Sequence, residues 1–422
     1  MKLLIKQARV ADPHSPYNGQ SIDILIEKGI ISQLGNKIET AADKVIMAEG
    51  HYVSPGWVDI FSNFADPGFE FKETLSSGAA AAAAGGFTDV FVLPNTKPVI
   101  HNKSSVEYIR QKSRDYVVSI HPIGAVSSNI EGKELAEMYD MRNSGAIAFS
   151  DGLNSLQSGG LLLKALQYVK AFDGVIIQVP EDKTIGPNGL MNEGIASTRL
   201  GLPGKPAIAE ELMVERDIHL AEYTGSGIHL TGISSARSLD RIDRARKQGI
   251  RVSCSVSPAH LFFCDEDVSG YDSLFKLNPP LRTKEDREAL RNAVLNGKID
   301  CLASHHQPHE NDSKVMEFEY AKPGMISLET AFAILCTTVE KISVDTIVSL
   351  LSTNPRQIFQ LPSATIKEGN KACITIFDPA LAWTFTENHI KSISRNTPFI
   401  GRELKGKVLG IINNGQSLFN EL

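Results

Sequence analysis

Along the first fifty residues short apolar runs alternate with turn dipeptides: LLIKQARV runs into Asp12-Pro13 and Asn18-Gly19, and SIDILIEKG, IISQLG and KVIMAEG follow. Apolar runs of this length between turn residues predict strands, so this stretch reads as a small β element. From Tyr52 onward each short apolar run is followed by a helical stretch, the pattern of repeated βα units around a parallel sheet. VSPGWVDI, TDVFVL, SIHPIG, GAIAF, GVIIQ, GIHLTG, IRVSCSV and IDCLAS are the candidate strands. Between them Leu162, Ala165, Leu166 and Val169 repeat at helical spacing, and Thr283 followed by Asp286 opens a helix over Ala289, Leu290, Ala293 and Val294. The expected fold class is α/β, a TIM-type (β/α)8 barrel. After Asn354-Pro355 strand-like pieces return in CITIFDP and GKVLGIINNGQSLF. The expected division is a composite β domain from residues 1–52 plus 366–422 and a barrel over 53–365.

Two long connections, TIGPNGLMNEG and Glu310 to Gly324, are expected as loops over the C-terminal ends of the strands, where a barrel carries its function. No internal repeat is visible. The tract Ala79 to Ala84 before Gly85-Gly86 suits close helix packing.

Composition narrows the function classes. The chain has 422 residues, 42% hydrophobic and 22% charged, enough for a sizeable core. A net charge of −6 without a run of like charges offers no stripe for a nucleic-acid backbone, so no nucleic-acid partner is expected. MKLLIKQARVADP is interrupted by Lys6 and Gln7 and reads as no signal peptide, and no segment is long enough to span a bilayer. A cytoplasmic protein without a membrane partner is the expectation. The five cysteines, Cys254, Cys264, Cys301, Cys336 and Cys373, show no CxxC spacing and predict neither a disulfide framework nor a zinc knot.

The phrase PGWVDIFSNFADPG, followed by SSGAAAAAAGGFTDVFVLPNTKP, resembles the start of the barrel in the dihydroorotase family of the amidohydrolase superfamily. The resemblance continues through GAIAFSDG, GLMNEGIASTRLGLPGKPAIAEE, ERDIHLAEYTG, KLNPPLR and ISLETAFAIL, in the family's order, over nearly the whole chain. It implies an enzyme of pyrimidine synthesis that interconverts N-carbamoyl-aspartate and dihydroorotate at a zinc site on the C-terminal ends of the barrel strands.

Carried over position by position, the resemblance implies a changed site. The His-x-His of the first strand, a spacing one metal ion can bridge, is here Phe61 and Asn63. The arginine expected to hold the substrate carboxylate is Ala65. The imidazole positions of the fifth and sixth strands are Val179, in Val179-Pro180-Glu181-Asp182, and Gly232, in His229-Leu230-Thr231-Gly232. The metal-binding, basic carboxylate of the eighth strand is His305, in His305-His306-Gln307-Pro308-His309. Asp151 remains from the metal-bridging region, and Asn95, Asn278 and His309 match substrate contacts.

Each of these residues also has a plain reading. His305 and His309, four apart, could gather a metal, but without Cys or carboxylate partners at fixed spacing they are read as surface or pocket-lining. Glu181 and Asp182 are adjacent and point to opposite faces, which suits loop solvation or helix capping rather than an acid–base pair. Asn95 and Asn278 serve a ligand or the backbone at strand ends equally well. Phe61 and Phe64 beside Trp57 are expected to fill space at the strand ends. A metal-bound water has its pKa lowered far below that of bulk water, to roughly 7, so loss of the ligands removes the nucleophile.

The reading that follows is a non-catalytic, dihydroorotase-like pseudoenzyme with no cofactor. Its expected partners are aspartate carbamoyltransferase or an active dihydroorotase, and a homodimer is expected. Two alternatives stay open: a divergent dihydroorotase or cyclic amidohydrolase using Asp151 and the His305 to His309 cluster, and a sensor of a pyrimidine precursor through Asn95, Asn278 and His309.

Overall fold

Leu3, Leu4, Ile5, Ala8 and Val10 are buried along β1 (Lys2–Val10), and this strand lies inside a sheet that draws on both ends of the chain. The structure, a computed structural model, describes residues 2–420. β2 (Ser21–Glu27) and β3 (Ile30–Gly35) extend the sheet antiparallel to one side of β1, and β4 (Lys44–Met47) runs parallel to it. On the other side β5 (Tyr52–Pro55) pairs parallel with Arg9 and Val10. The sheet has eight strands, and the other three come from the far end of the sequence, described below.

β6 (Trp57–Ser62) and β7 (Phe87–Val92) are buried at every residue, as parallel strands covered on both faces must be. With β8 (Ser119–Pro122) they form a three-stranded parallel sheet. β9 (Ile176–Gln178) is followed, inside the TIGPNGLMNEG connection and beyond it, by the short pair β10 (Met191–Asn192) and β11 (Gly204–Lys205). β12 (Ile228–Leu230), β13 (Val252–Val256) and β14 (Cys301–Leu302) join β9 in a four-stranded parallel sheet. Helices follow these strands, among them Leu75–Ala84, Gly159–Lys170, Ile208–Thr224, Lys284–Leu295 and Ala331–Thr338.

The two parallel sheets are continuous only through single bridges. Phe149 bridges Gly124 on one side and Ile176 on the other, and Ser62 bridges His306. GAIAF, expected as a full strand, therefore contributes a bridge and no ladder. β15 (Ile374–Thr384) then pairs antiparallel with β5, and β16 (Glu403–Asn413) and β17 (Gln416–Phe419) complete the first sheet.

Trp57 locks the two parts together. It is 0% exposed, with ring centroids 4.8 Å from Phe332 and 5.1 Å from Phe377, and its indole N–H donates to Ser54 Oγ at 3.0 Å. Gly86, at φ +91°, lies against the same indole, where a Cβ would come within 2.8 Å of the ring. Beside it Arg356 donates to Asp89 at 2.7 Å and to the Gly56 carbonyl at 2.9 Å, fixing the segment before β15 against β7. The Ala-rich helix Leu75–Ala84 starts at a Thr74–Ser77 capping box. Its Gly78 admits the Phe64 ring, which a Cβ would approach to 2.7 Å. Among the described residues no helix is long and apolar enough to cross a membrane.

Two outcomes follow from this packing. Trp57→Ala removes the wedge between Phe87, Phe332 and Phe377 and should cost about 3–5 kcal/mol in urea unfolding; a loss below about 1 kcal/mol would place the joint elsewhere. Asp217 is fully buried on the helix Ile208–Thr224, and burial outweighs its contact with Arg216 to push its carboxyl up to about 6. The folded chain therefore holds that proton more tightly than the unfolded chain, and stability should fall as pH rises from about 4 to about 6. Asp217→Asn should remove this slope and gain most above pH 6, which denaturation midpoints across pH measure.

Candidate functional site

The parallel strands deliver their last residues to one end, and the side chains there are held mostly by each other. Phe61, 1% exposed at the end of β6, lies against His305 with centroids 4.6 Å apart and the rings tilted by 32°. Asn63 turns its Oδ1 to the Ala65 N–H at 3.0 Å, while its own N–H donates to the His306 carbonyl at 2.9 Å. Ala65, at φ +57°, and His305, at φ +49°, hold left-handed conformations uncommon outside glycine.

Asp151 follows Phe149. Its Oδ1 accepts from the N–H groups of Val126 and Ser127, both at 2.9 Å, and its Oδ2 from the Ser127 hydroxyl. Burial nevertheless pushes this carboxyl above its ordinary value, against the lowering effect of the same contacts. Asn95 braces the neighbouring turn: its Nδ2 donates to the Asp151 carbonyl at 3.3 Å and its Oδ1 accepts from Leu153 N–H at 3.0 Å.

The histidines form a buried relay. His229 contacts Ser253 Oγ at 2.8 Å and Ser255 Oγ at 3.0 Å; Ser255 donates to Thr231 at 2.7 Å, and Thr231 meets His305 Nε2 at 2.9 Å. Burial pushes His229 and His305 down to about 3, so both rings are neutral at physiological pH. Gly232 sits against His305, where a Cβ would come within 2.8 Å of Cε1.

The reading of the His305 to His309 cluster as surface or pocket-lining is corrected for two members: His306 is 1% and His309 7% exposed. His306 accepts from the Ser327 N–H at Nδ1 and faces Glu73 through Nε2 at 3.3 Å. Glu73 also takes the hydroxyls of Ser77 and Ser392. Burial pushes its carboxyl up, and these partners outweigh that to hold it below the ordinary value. His309 donates from Nε2 to the Pro323 carbonyl at 3.0 Å, its Nδ1 is buried without a partner, and burial pushes it down to about 4.

Lys205 and Arg282 are the residues that the motif comparison passed over, although both lie inside its matched phrases LPGKPAIAEE and KLNPPLR. Lys205 Nζ lies 2.5 Å from Glu181 and 2.9 Å from Asn278 Oδ1, and Asn278 Nδ2 donates to Glu181 at 2.9 Å. Glu181 is thus one corner of a closed triad and not a solvated loop residue. Burial pushes its carboxyl up, but Lys205 and Asn278 bring it below the ordinary value. Arg282, 3% exposed, donates to Ser234 Oγ, Asn192 Oδ1 and the Lys205 carbonyl.

The open space here is small. A cavity of about 20 Å³ lies among His260, Asn278, Ser304 and His305, and one of about 10 Å³ among Val179, Glu181, Lys205 and Arg282. The larger has room for a single water. Among the described residues no three His, Cys, Asp or Glu side chains come together in a way that could hold a metal ion. Phe61, Val179 and Gly232 carry no side-chain donor, and Asn63, Asp151 and His305 direct theirs to protein partners. This donor set does not fit zinc at the positions that the resemblance assigns.

The sequence matches the family described as Dihydro-orotase-like over residues 50–238 and the Amidohydrolase family over residues 203–418. It is 39% identical to a dihydroorotase of Syntrophus aciditrophicus over 426 residues, spanning all of both chains. The dihydroorotases of Acetivibrio thermocellus and Pelotomaculum thermopropionicum are 40% and 41% identical, each over at least 99% of both chains. Among solved structures, an L-hydantoinase from Arthrobacter aurescens superposes with a TM-score of 0.87 at 21% identity, covering 99% of this chain and 96% of its own. The dihydropyrimidinase from Brevibacillus agri gives 0.83 at 21%, covering 100% and 95%; at this identity both speak to the fold.

These findings correct two expectations. Full-length relatives at about 40% identity carry the name of the enzyme, which overturns the reading of a non-catalytic partner protein. The expectation of no cofactor falls with it, because it was drawn from the same few substitutions and the resemblance gives this family a zinc site. By its match along the whole length, the chain belongs to the dihydroorotase family of the amidohydrolase superfamily.

Proposed function

We propose that this chain is a divergent cyclic amidohydrolase of the dihydroorotase type, acting on the C–N bond of a cyclic amide such as dihydroorotate. The observation that carries the reading is its identity of 39–41%, end to end, with proteins named dihydroorotase. In this proposal the two parallel sheets and the bridging Phe149 compose one eight-stranded (β/α) barrel, with the site at the C-terminal strand ends.

The substrate would carry a carboxylate beside its ring. Ala65 stands where the resemblance expects the arginine for that group, and we assign the task to Lys205, supported by the amide of Asn278. Glu181 holds the ammonium in the free protein, so binding requires the substrate carboxylate to displace Glu181 and open the filled strand ends. Asn95 and His309, both bonded to backbone groups in the free protein, join these contacts only once the strand ends open. His305 and His229, neutral through burial, can accept or donate hydrogen bonds without adding charge.

Dihydroorotate hydrolysis and N-carbamoyl-aspartate cyclisation, measured with and without added zinc and beside elemental analysis of the same protein, test the reading. Turnover is expected, and its absence under every condition would overturn the proposal. Lys205→Met should raise KM about tenfold, with kcat changed less, as loss of an ionic contact to the substrate carboxylate does. Asn278→Ala should lower kcat/KM by about tenfold or more; unchanged kinetics in both variants would remove Lys205 and Asn278 from the site.

A further inference from the structure

A larger cavity lies away from the strand ends, between β15 and β16 and the helix Ala331–Thr338. It encloses about 320 Å³, the size of a small-ligand pocket, and Phe332, Trp383, His389, Lys407 and Phe419 form much of its wall. None of its lining residues belongs to the cavities around Asn278.

Lys407 is the unusual member. It is 9% exposed, its Nζ lies 5.9 Å from the centre of the Trp383 ring, and no ion pair or hydrogen bond joins its ammonium to another described residue. The acid across the strand pair, Asp378, points elsewhere: its Oδ2 lies 3.3 Å from His51, and its Oδ1 accepts from the Ala380 N–H at 2.8 Å. Glu329, also on the wall, takes the N–H groups of Lys391 and Ser392 at 3.1 and 3.2 Å, both on Oε1. Trp383 is fixed by its own N–H to the Gly406 carbonyl at 2.8 Å, so the ring is a rigid wall beside the cation. Burial pushes Lys407 below its ordinary value, with no carboxylate of the described residues acting against it.

The Lys407 side chain is largely buried and its ammonium has no counter-charge among the described residues, so an incoming anion supplies the missing charge. Flat aromatic walls beside it select a flat apolar body. We propose that this cavity binds an aromatic anion, a ring bearing a carboxylate or phosphate, with the anion on Lys407 and the ring against Trp383.

Benzoate and phenyl phosphate are the probes, and intrinsic fluorescence is the readout. The chain has two tryptophans, and Trp57 is 0% exposed in the core, so a ligand here reports through Trp383. Both probes should change the emission saturably, and Trp383→Phe should abolish the change. Benzamidine, the same ring with a positive charge, should bind at least about tenfold more weakly than benzoate. Lys407→Met should weaken benzoate about tenfold or more while Lys407→Arg retains it, with the melting profile confirming the fold of each. No saturable response up to about 20 mM probe would overturn the proposal, as would equal binding of benzoate and benzamidine or undiminished binding to folded Lys407→Met. The comparison of the two charged rings on the native chain keeps the test decisive even where a variant fails to fold.

Discussion

Asp59 is a carboxylate with no access to solvent, and it joins the first parallel strand to the last. Its Oδ1 accepts the Ser304 N–H at 2.6 Å, and its Oδ2 accepts the hydroxyls of Ser304 and Ser62 at 2.8 and 2.5 Å. Burial pushes this carboxyl up, against what the three donors do, and both of its oxygens are engaged within the fold. The Ser304 hydroxyl also takes the His306 N–H, at 3.1 Å. Phe61, Asn63, His305 and His306 thus face one another because a buried acid binds their two strands.

The strand ends built on this tie are dense and mostly neutral. His229, His260 and His305 are pushed to about 3 or 4 by burial, and each finds a hydroxyl or carbonyl partner. Apart from the buried Glu73 beside His306, charged side chains meet at the rim, where Lys205, Glu181 and Arg282 surround Asn278 and its neighbours. A ligand entering here has to compete with protein side chains more than with water, and the side chains with most to release are those of this rim.

Periodicity revealed the helices well, because burial on one face leaves a repeat in the sequence. Leu162, Ala165, Leu166 and Val169 are all buried, and Thr283 caps its helix by accepting the Asp286 N–H at 3.2 Å. The phrase GAIAF looked like any other strand, yet it provides a bridge at Phe149 alone; pairing depends on neighbours that a local pattern does not contain. Lys205 and Arg282 were missed because each is distant in sequence from the groups it meets, Lys205 from Asn278 and Arg282 from Asn192. The motif comparison identified what stands at positions 61, 63, 179 and 232, which is a statement about atoms at a few places. Those few atoms do not decide activity by themselves, since identity spread along the whole chain bears on it too.

The terminal sheet has a bearing on how the chain is made. β5 pairs on one side with β1, soon after both are synthesised, but its other edge waits for β15, with Val53 opposite Ile376. Until the ribosome has added the whole intervening stretch, β5 presents an unpaired apolar edge, which is the kind of edge that recruits other chains. Nascent-chain crowding and chaperone supply therefore bear on this protein's yield more than its finished surface suggests.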